Sequence, residues 1–240
     1  MQERKFDTFD QFADDYRTIH TENIKISGAD SDYFSKYRIE EIHRVEKLAN
    51  TNASKGEKIS ILDIGSGDGN AARFFIEYFR NSTVYGIDIT DKVVQKAIDR
   101  NLPNCHFQVY DGENIPFADN TFDIIFLVGT LHHVDKKYHL DLMKQAFRVL
   151  KKGGRMYQFE HNPWNPITQK LVKDCPFDTD AVLVTAPYVK QLERNAGFEK
   201  VRTKFTLFFP RFAIFKPFLF LEKYLGWLPI GGQYYISATK

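Results

Sequence analysis

The chain has 240 residues, 43% of them apolar, which suffices for one substantial core with a small appended element. Its 33 basic and 31 acidic residues leave a net charge of +2 with no clustered basic face, which excludes the usual nucleic-acid footprint. Two widely spaced cysteines, Cys105 and Cys175, make neither a disulfide framework nor a zinc pattern; no run reaches the roughly 18 apolar residues of a membrane span, and the charged stretch 1–7 is no signal peptide, so a cytoplasmic protein with reduced thiols is expected.

Residues 1–55 read as an N-terminal helical lid. Phe9, Phe12, Ala13 and Tyr16 recur at helical spacing, and a second helical pattern runs over 32–49. The polar linker 50–56 leads into a domain spanning 56–240. There, apolar strands at 59–64, 83–88, 105–109, 122–128 and 155–160 alternate with helices at 70–79, 91–100 and 138–150, the last ended by Gly153-Gly154 as a stop signal. A helix over 187–196, capped by Gly197, precedes two final strands, 198–207 and 234–239, read as an antiparallel pair at the sheet edge. The pattern predicts an α/β fold with helices on both faces of a mostly parallel sheet. Residues 161–180 form a substrate-side loop and 208–230 an aromatic insertion before the last strand.

The strongest local signal is Leu62-Asp63-Ile64-Gly65-Ser66-Gly67-Asp68-Gly69-Asn70, between a strand and a helix. Glycines there let the backbone turn sharply and present bare amides to a ligand. The third glycine, Gly69, comes one residue too early for the dinucleotide fingerprint, and an acid, Asp63, precedes the turn. A pyrophosphate suits a helix N-terminus; an acid there instead suits a ligand with an ammonium group. Asp88 closes the second strand where a carboxylate can accept both hydroxyls of a ribose. Asp111 follows the third, with the Gly112 amide beside it, where an adenine could be held. These acids lie at successive strand ends, on the edge where open α/β sheets bind ligands.

The constellation resembles the class I S-adenosylmethionine-dependent methyltransferases, in particular the small-molecule subgroup called type 11. Leu62 to Gly69, Gly86-Ile87-Asp88, Asp111 with Ile115-Pro116-Phe117, the strand beginning Phe122-Asp123-Ile124-Ile125-Phe126, Leu131-His132-His133-Val134 and Leu150-Lys151-Lys152-Gly153-Gly154 carry the likeness. It implies a Rossmann-like sheet of seven strands whose last is antiparallel, with S-adenosylmethionine as cofactor and S-adenosylhomocysteine as product. It places Asp63, Gly65, Gly67, Asp88 and Asp111 at the cofactor, with Ser66, Gly69, Ile89, Gly112, Glu113 and Val128 beside them. Tyr16, Tyr33 and Arg38 are implied as lid residues, Arg38 meeting the cofactor carboxylate.

His132, His133 and the run Glu160-His161-Asn162-Pro163-Trp164 sit at the ends of the fourth and fifth strands. His161 is the first choice for a general base and His132 the second, because a histidine titrates near neutrality. His133, Glu160, Asn162 and Trp164 are candidate substrate contacts. His133-Val134-Asp135 is too sparse for a metal site, and no metal is expected. A polar loop with a stacking ring suits O-methylation of a saccharide or similar small molecule. N- or C-methylation of a small molecule, lipid or quinone stays open, as does a non-catalytic partner of a glycan-assembly enzyme. The stretch from Glu160 to Asp178 and the closing Gly231-Gly232-Gln233-Tyr234-Tyr235 are similar to methyltransferases of bacterial surface-polysaccharide gene clusters. Seven phenylalanines fall in 205–220 among Arg211, Lys216 and Lys223, so this segment either meets a membrane surface or lipid-linked substrate, or packs into the core or a dimer interface.

Overall fold

The computed structural model describes residues 21–176, 178 and 181–240; Tyr16 and the helical pattern around Phe9 lie outside them. Seven strands form one sheet in the order β3-β2-β1-β4-β5-β7-β6: β1 (Ile59–Ile64), β2 (Ser82–Asp88), β3 (Cys105–Val109), β4 (Phe122–Val128), β5 (Leu150–His161), β6 (Glu199–Thr206) and β7 (Gln233–Thr239). The β1–β5 ladder is parallel throughout, and β7 runs antiparallel to both β5 and β6. The chain therefore closes by inserting its last strand between β5 and the edge strand β6. The order reverses between β1 and β4, so their carboxyl ends form the crevice at the switch point.

Strand side chains alternate between faces, and each face has its own core. Leu62, Ile64, Ile125, Leu127 and Tyr234 pack on one side against α4 (His139–Val149) and α6 (Ala186–Asn195), through Met143, Ala146 and Val189. Ile61, Val84, Phe126, Tyr157 and Phe159 pack on the other against α1 (Ser31–Leu48) and α2 (Ala72–Tyr78), through Ile39, Ile42 and Phe75. The short α3 (Asp91–Asp99) returns the chain from β2 to β3. The lid helix α1 is thus part of the core. Its far end is pinned by buried Glu46, which accepts from the Tyr157 hydroxyl and from Thr51, each at 2.5 Å.

Two local expectations are corrected. Gly153-Gly154 does not stop α4: the helix ends at Val149, with Lys240 Nζ donating to the carbonyls of Phe147 and Arg148 at 2.7 and 3.0 Å. The glycines lie in an irregularity of β5, where pairing with β4 jumps from Leu150 to Arg155 and Gly153 takes φ +78°. The segment 161–180 is not wholly loop: it carries α5 (Pro166–Asp174), with Asn165 accepting from Thr168 N at its start and Pro166 in the first turn. The insertion is a 3-10 turn over Ala213–Leu221, carrying Pro217, followed by the short α7 (Glu222–Leu225).

On α6, both carboxylate oxygens of Glu193 are buried without a hydrogen-bond partner among the described residues, and burial raises its pKa well above the usual carboxylate range. The folded state keeps the proton that the unfolded chain releases near its ordinary pKa, so stability falls as pH rises from there toward the raised folded value. Glu193→Gln is expected to exceed the parent in stability at pH 8 by about 1–3 kcal/mol, with the gap closing toward pH 4. Urea denaturation at the two pH values checks this; equal gaps at both would refute it.

Candidate active site

The glycine turn leaves β1 under tight control. Gly65 N and Ser66 N both donate to Ile87 O, at 2.8 and 3.0 Å, which ties the turn to β2. Gly65 has φ +75°, and a Cβ there would stand 2.4 Å from Thr130 Oγ1. Gly67, at φ +51°, has open space where its Cβ would be. Asp88 fastens this loop: its carboxylate accepts from Gly67 N at 2.9 Å and Thr90 N at 3.1 Å. Gly69 serves packing, since a Cβ there would meet Ala97 and the Phe107 ring within 3.0 Å.

Asp63 is buried near the end of β1. Burial, with the Asp88 charge adding to it, pushes its pKa up to about 8. Nearby Ser66 Oγ and Asn70 Oδ1 are buried without partners among the described residues. A ligand carrying an ammonium group and further polar atoms would satisfy this set. Asp111 stands outside the enclosed space, where it accepts from Glu113 N and Asn114 N at 2.8 and 2.7 Å; these bonds hold its pKa below the usual range. Gly112 (φ +79°) faces the half-exposed side chain of Ile89. Asp88, Ile89, Asp111, Gly112 and Glu113 thus lie at or after the ends of β2 and β3, and none of them lines the enclosed cavity.

The cavity itself measures about 540 Å³. Asp63, Gly65, Ser66, Gly67 and Val128 give one end of it, where β1 and β4 terminate. His132, His133, His161 and Asp178 give a polar floor. Phe34 and Arg38 from α1 and Phe208, Phe209, Phe212 and Phe215 from the insertion give an aromatic roof. Arg38 donates to Gln233 Oε1 from Nε and Nη2, at 3.3 and 3.1 Å. Tyr33 clamps the roof: Arg211 lies 5.2 Å over its ring and pairs with buried Glu222 at 2.8 Å.

On the floor, His132 is buried and its Nδ1 lies 2.8 Å from Glu160 Oε2. Burial alone would raise Glu160, but the His132 hydrogen bond and charge and the Gln158 bond outweigh it and hold the carboxyl below its usual range. Glu160 at Nδ1 orients the ring, and Nε2 is turned to the side of the Asp178 carboxylate, 3.9 Å away. His133 Nε2 sits 3.2 Å from Asp178 Oδ1. Burial works against the Asp178 charge too, yet the His133 bond and neighbouring histidines bring its pKa down to about 2. His161, its ring 5.5 Å from that of His132, is driven down to about 4, by burial first and by His132 second. Of the two rings the oriented one is His132, and burial makes His161 the weaker base.

The loop expectations divide. Glu160 acts on His132 and does not line the cavity. Asn162 is spent on structure, donating to Pro229 O and Gly231 O at 3.1 and 2.8 Å. Trp164 is half exposed, stacks on Phe205 at 6.3 Å and does not line the cavity. Sequence reading missed Asp178 as a site residue. With His132 and His133 it places three potential ligand atoms within 4.8 Å of one another, a grouping that could hold a metal ion and that the 133–135 spacing concealed.

Residues 61–154 match the family model described as a methyltransferase domain. The 27-O-demethylrifamycin SV methyltransferase of Amycolatopsis mediterranei is 34% identical over 101 residues, 40% of this chain and 36% of that one. A ubiquinone/menaquinone biosynthesis C-methyltransferase of Ectopseudomonas mendocina is 34% identical over 118 residues, 46% of this chain and 45% of that one. The similarity therefore spans less than half the length of these curated relatives. A solved S-adenosylmethionine-dependent methyltransferase of Thermotoga maritima, described as a possible histamine N-methyltransferase, superposes with a TM-score of 0.63 at 21% identity, covering 98% of this chain and 99% of that one. Phosphoethanolamine N-methyltransferase 2 of Haemonchus contortus, solved with S-adenosyl-L-methionine, has a TM-score of 0.56 at 18% identity, covering 76% and 49%. At these identities the solved structures bear on the fold.

Proposed function

We propose that this chain is a class I S-adenosylmethionine-dependent methyltransferase that methylates a hydroxyl oxygen of a small amphiphilic acceptor, a saccharide carried on a lipid being the acceptor that suits it best. The observation that carries this reading is His132, held by Glu160 and lining a cavity that Asp63 also lines.

The residues fit the cofactor. Asp63 would take its ammonium group, Gly67 would give it an unobstructed backbone, and Asp88 and Asp111 stand along the edge for ribose and adenine. When bound, S-adenosylmethionine would supply an electrophilic methyl on a sulfonium, whose carbon–sulfur bond breaks to leave the neutral thioether of S-adenosylhomocysteine. An alcohol is a weak nucleophile, so a base within hydrogen-bond reach of its proton is needed as the carbon–oxygen bond forms. His132 Nε2 takes that proton, and the imidazolium formed is stabilised by ionised Glu160. His133, with Asp178, orients the acceptor. The polar floor suits a sugar-like head and the phenylalanine roof an apolar portion. On this reading the enzyme works at the cytoplasmic side of a membrane; among the described residues no helix is long and apolar enough to cross one.

Titration calorimetry with S-adenosylhomocysteine is expected to show one site per chain. Absence of binding beside tight binding of a nicotinamide nucleotide would overturn the cofactor reading. Label from methyl-labelled donor should enter the butanol-extractable fraction of a bacterial extract as an alkali-stable ether, and EDTA should not slow it. Loss of transfer on chelation, restored by a divalent metal, would move His132 and His133 from acid–base work to metal ligation. Label found on carbon or nitrogen would remove O-methylation.

A further inference from the structure

The aromatic insertion has two faces. Phe208, Phe209, Phe212 and Phe215 line the cavity. Six other large apolar groups do not line it and are exposed: Ile214 and Trp227 are each 75% exposed, Tyr224 63% and Phe220 60%, with Phe218 and Ile230 about half exposed. A soluble chain seldom leaves so many large side chains uncovered in one segment. The ionisable side chains of the segment are sorted as well. Its one carboxylate, Glu222, is buried against Arg211, while Lys216 and Lys223 are both exposed. The outer face thus combines aromatic rings with two cations and no exposed acid.

We propose that this outer face docks on an anionic lipid bilayer, and that the acceptor enters the cavity from that surface, past the same segment. Charge complementarity selects the occupant: phosphate-bearing headgroups meet Lys216 and Lys223 while Trp227, Phe220 and Ile214 enter the acyl boundary. Entry beside the docked face rests on the interleaving of the two sets in one segment, since Phe212 and Phe215 line the cavity while Ile214, Phe218 and Phe220 between and beside them are exposed, and Phe212 is itself half exposed. This rests on the amphiphilic-acceptor reading above for what is delivered, but docking itself is measured without any acceptor.

Co-sedimentation with vesicles of phosphatidylcholine alone and of phosphatidylcholine with phosphatidylglycerol in equal parts tests it, using the full chain. Binding to the anionic vesicles is expected to exceed binding to the neutral ones by about tenfold or more and to weaken with added salt. The double variant Phe220→Ser/Trp227→Ser should lose at least about tenfold of that binding, and Lys216→Glu/Lys223→Glu should lose the anionic preference. Both should still bind S-adenosylhomocysteine, which shows that they are folded. A wild-type chain that stays in solution with both vesicles overturns the proposal. So does a wild-type dimer that the Phe220→Ser/Trp227→Ser variant splits without any vesicle binding, because the face is then an interface between copies. If S-adenosylhomocysteine fails to bind the wild type while vesicles retain it, the methyltransferase reading falls and the docking inference stands.

Discussion

His132→Ala is expected to lower the turnover of methyl transfer by about 10²- to 10⁴-fold, the range for removing a positioned general base. Affinity for S-adenosylhomocysteine should stay within about twofold, since the proposed role of His132 is toward the acceptor and only transition-state interactions would be lost. Glu160→Gln separates base from orienter. The amide keeps the shape but loses the charge that fixes the Nδ1 proton and stabilises the imidazolium, so turnover should fall by about 10- to 10³-fold with acceptor KM little changed. His161→Ala should cost much less, because a ring held near pKa 4 by burial and by His132 is a weak base at neutrality. Steady-state kinetics on all three variants, with calorimetry for folding and cofactor affinity, decides the matter. Full turnover in both His132→Ala and Glu160→Gln would mean that catalysis proceeds by positioning alone.

The fold was legible because the strands announce themselves. β1 and β4 are apolar runs buried on both faces, and their limits agree residue for residue with those expected. The glycine turn was equally plain, since Gly65 and Gly67 occupy positive φ where no other residue fits as well. Roles within the site were harder to read. Asp88 lies where a ribose contact is expected, and the structure adds a second duty, bracing Gly67. The His132–Glu160 pair joins residues 28 apart in sequence, and Asp178 reaches His133 from a segment with no motif of its own. Such pairings come from tertiary placement, which no local period encodes. Gly153-Gly154 misled for a related reason: the carbonyls at the end of α4 are satisfied by Lys240, from the far end of the chain. The insertion could not be resolved from sequence because Pro210 and Pro217 break its periodicity, so no pattern showed which rings turn inward.

Asp63→Asn is expected to abolish measurable S-adenosylhomocysteine binding at neutral pH, a loss of about 3–5 kcal/mol, because a ligand ammonium would be left buried without its carboxylate. The same change should stabilise the ligand-free protein. In the folded chain Asp63 holds its proton up to about pH 8, so the ligand-free form loses stability as pH rises from the ordinary carboxylate range through that value. Asn carries no such dependence and should be more stable at pH 8 by about 1–3 kcal/mol. Binding in the parent must run the other way. The ammonium needs the ionised carboxylate, so below pH 8 each bound ligand must expel a proton from Asp63. Affinity should therefore rise with pH, by about tenfold per unit between pH 6 and pH 8, and flatten above that. Calorimetry in buffers of different ionisation enthalpy reads this directly, as close to one proton released per ligand at pH 7 and none at pH 9. A pH-independent affinity with no proton release would show that Asp63 is already ionised in the empty site, and that its burial is balanced by a group other than the ligand.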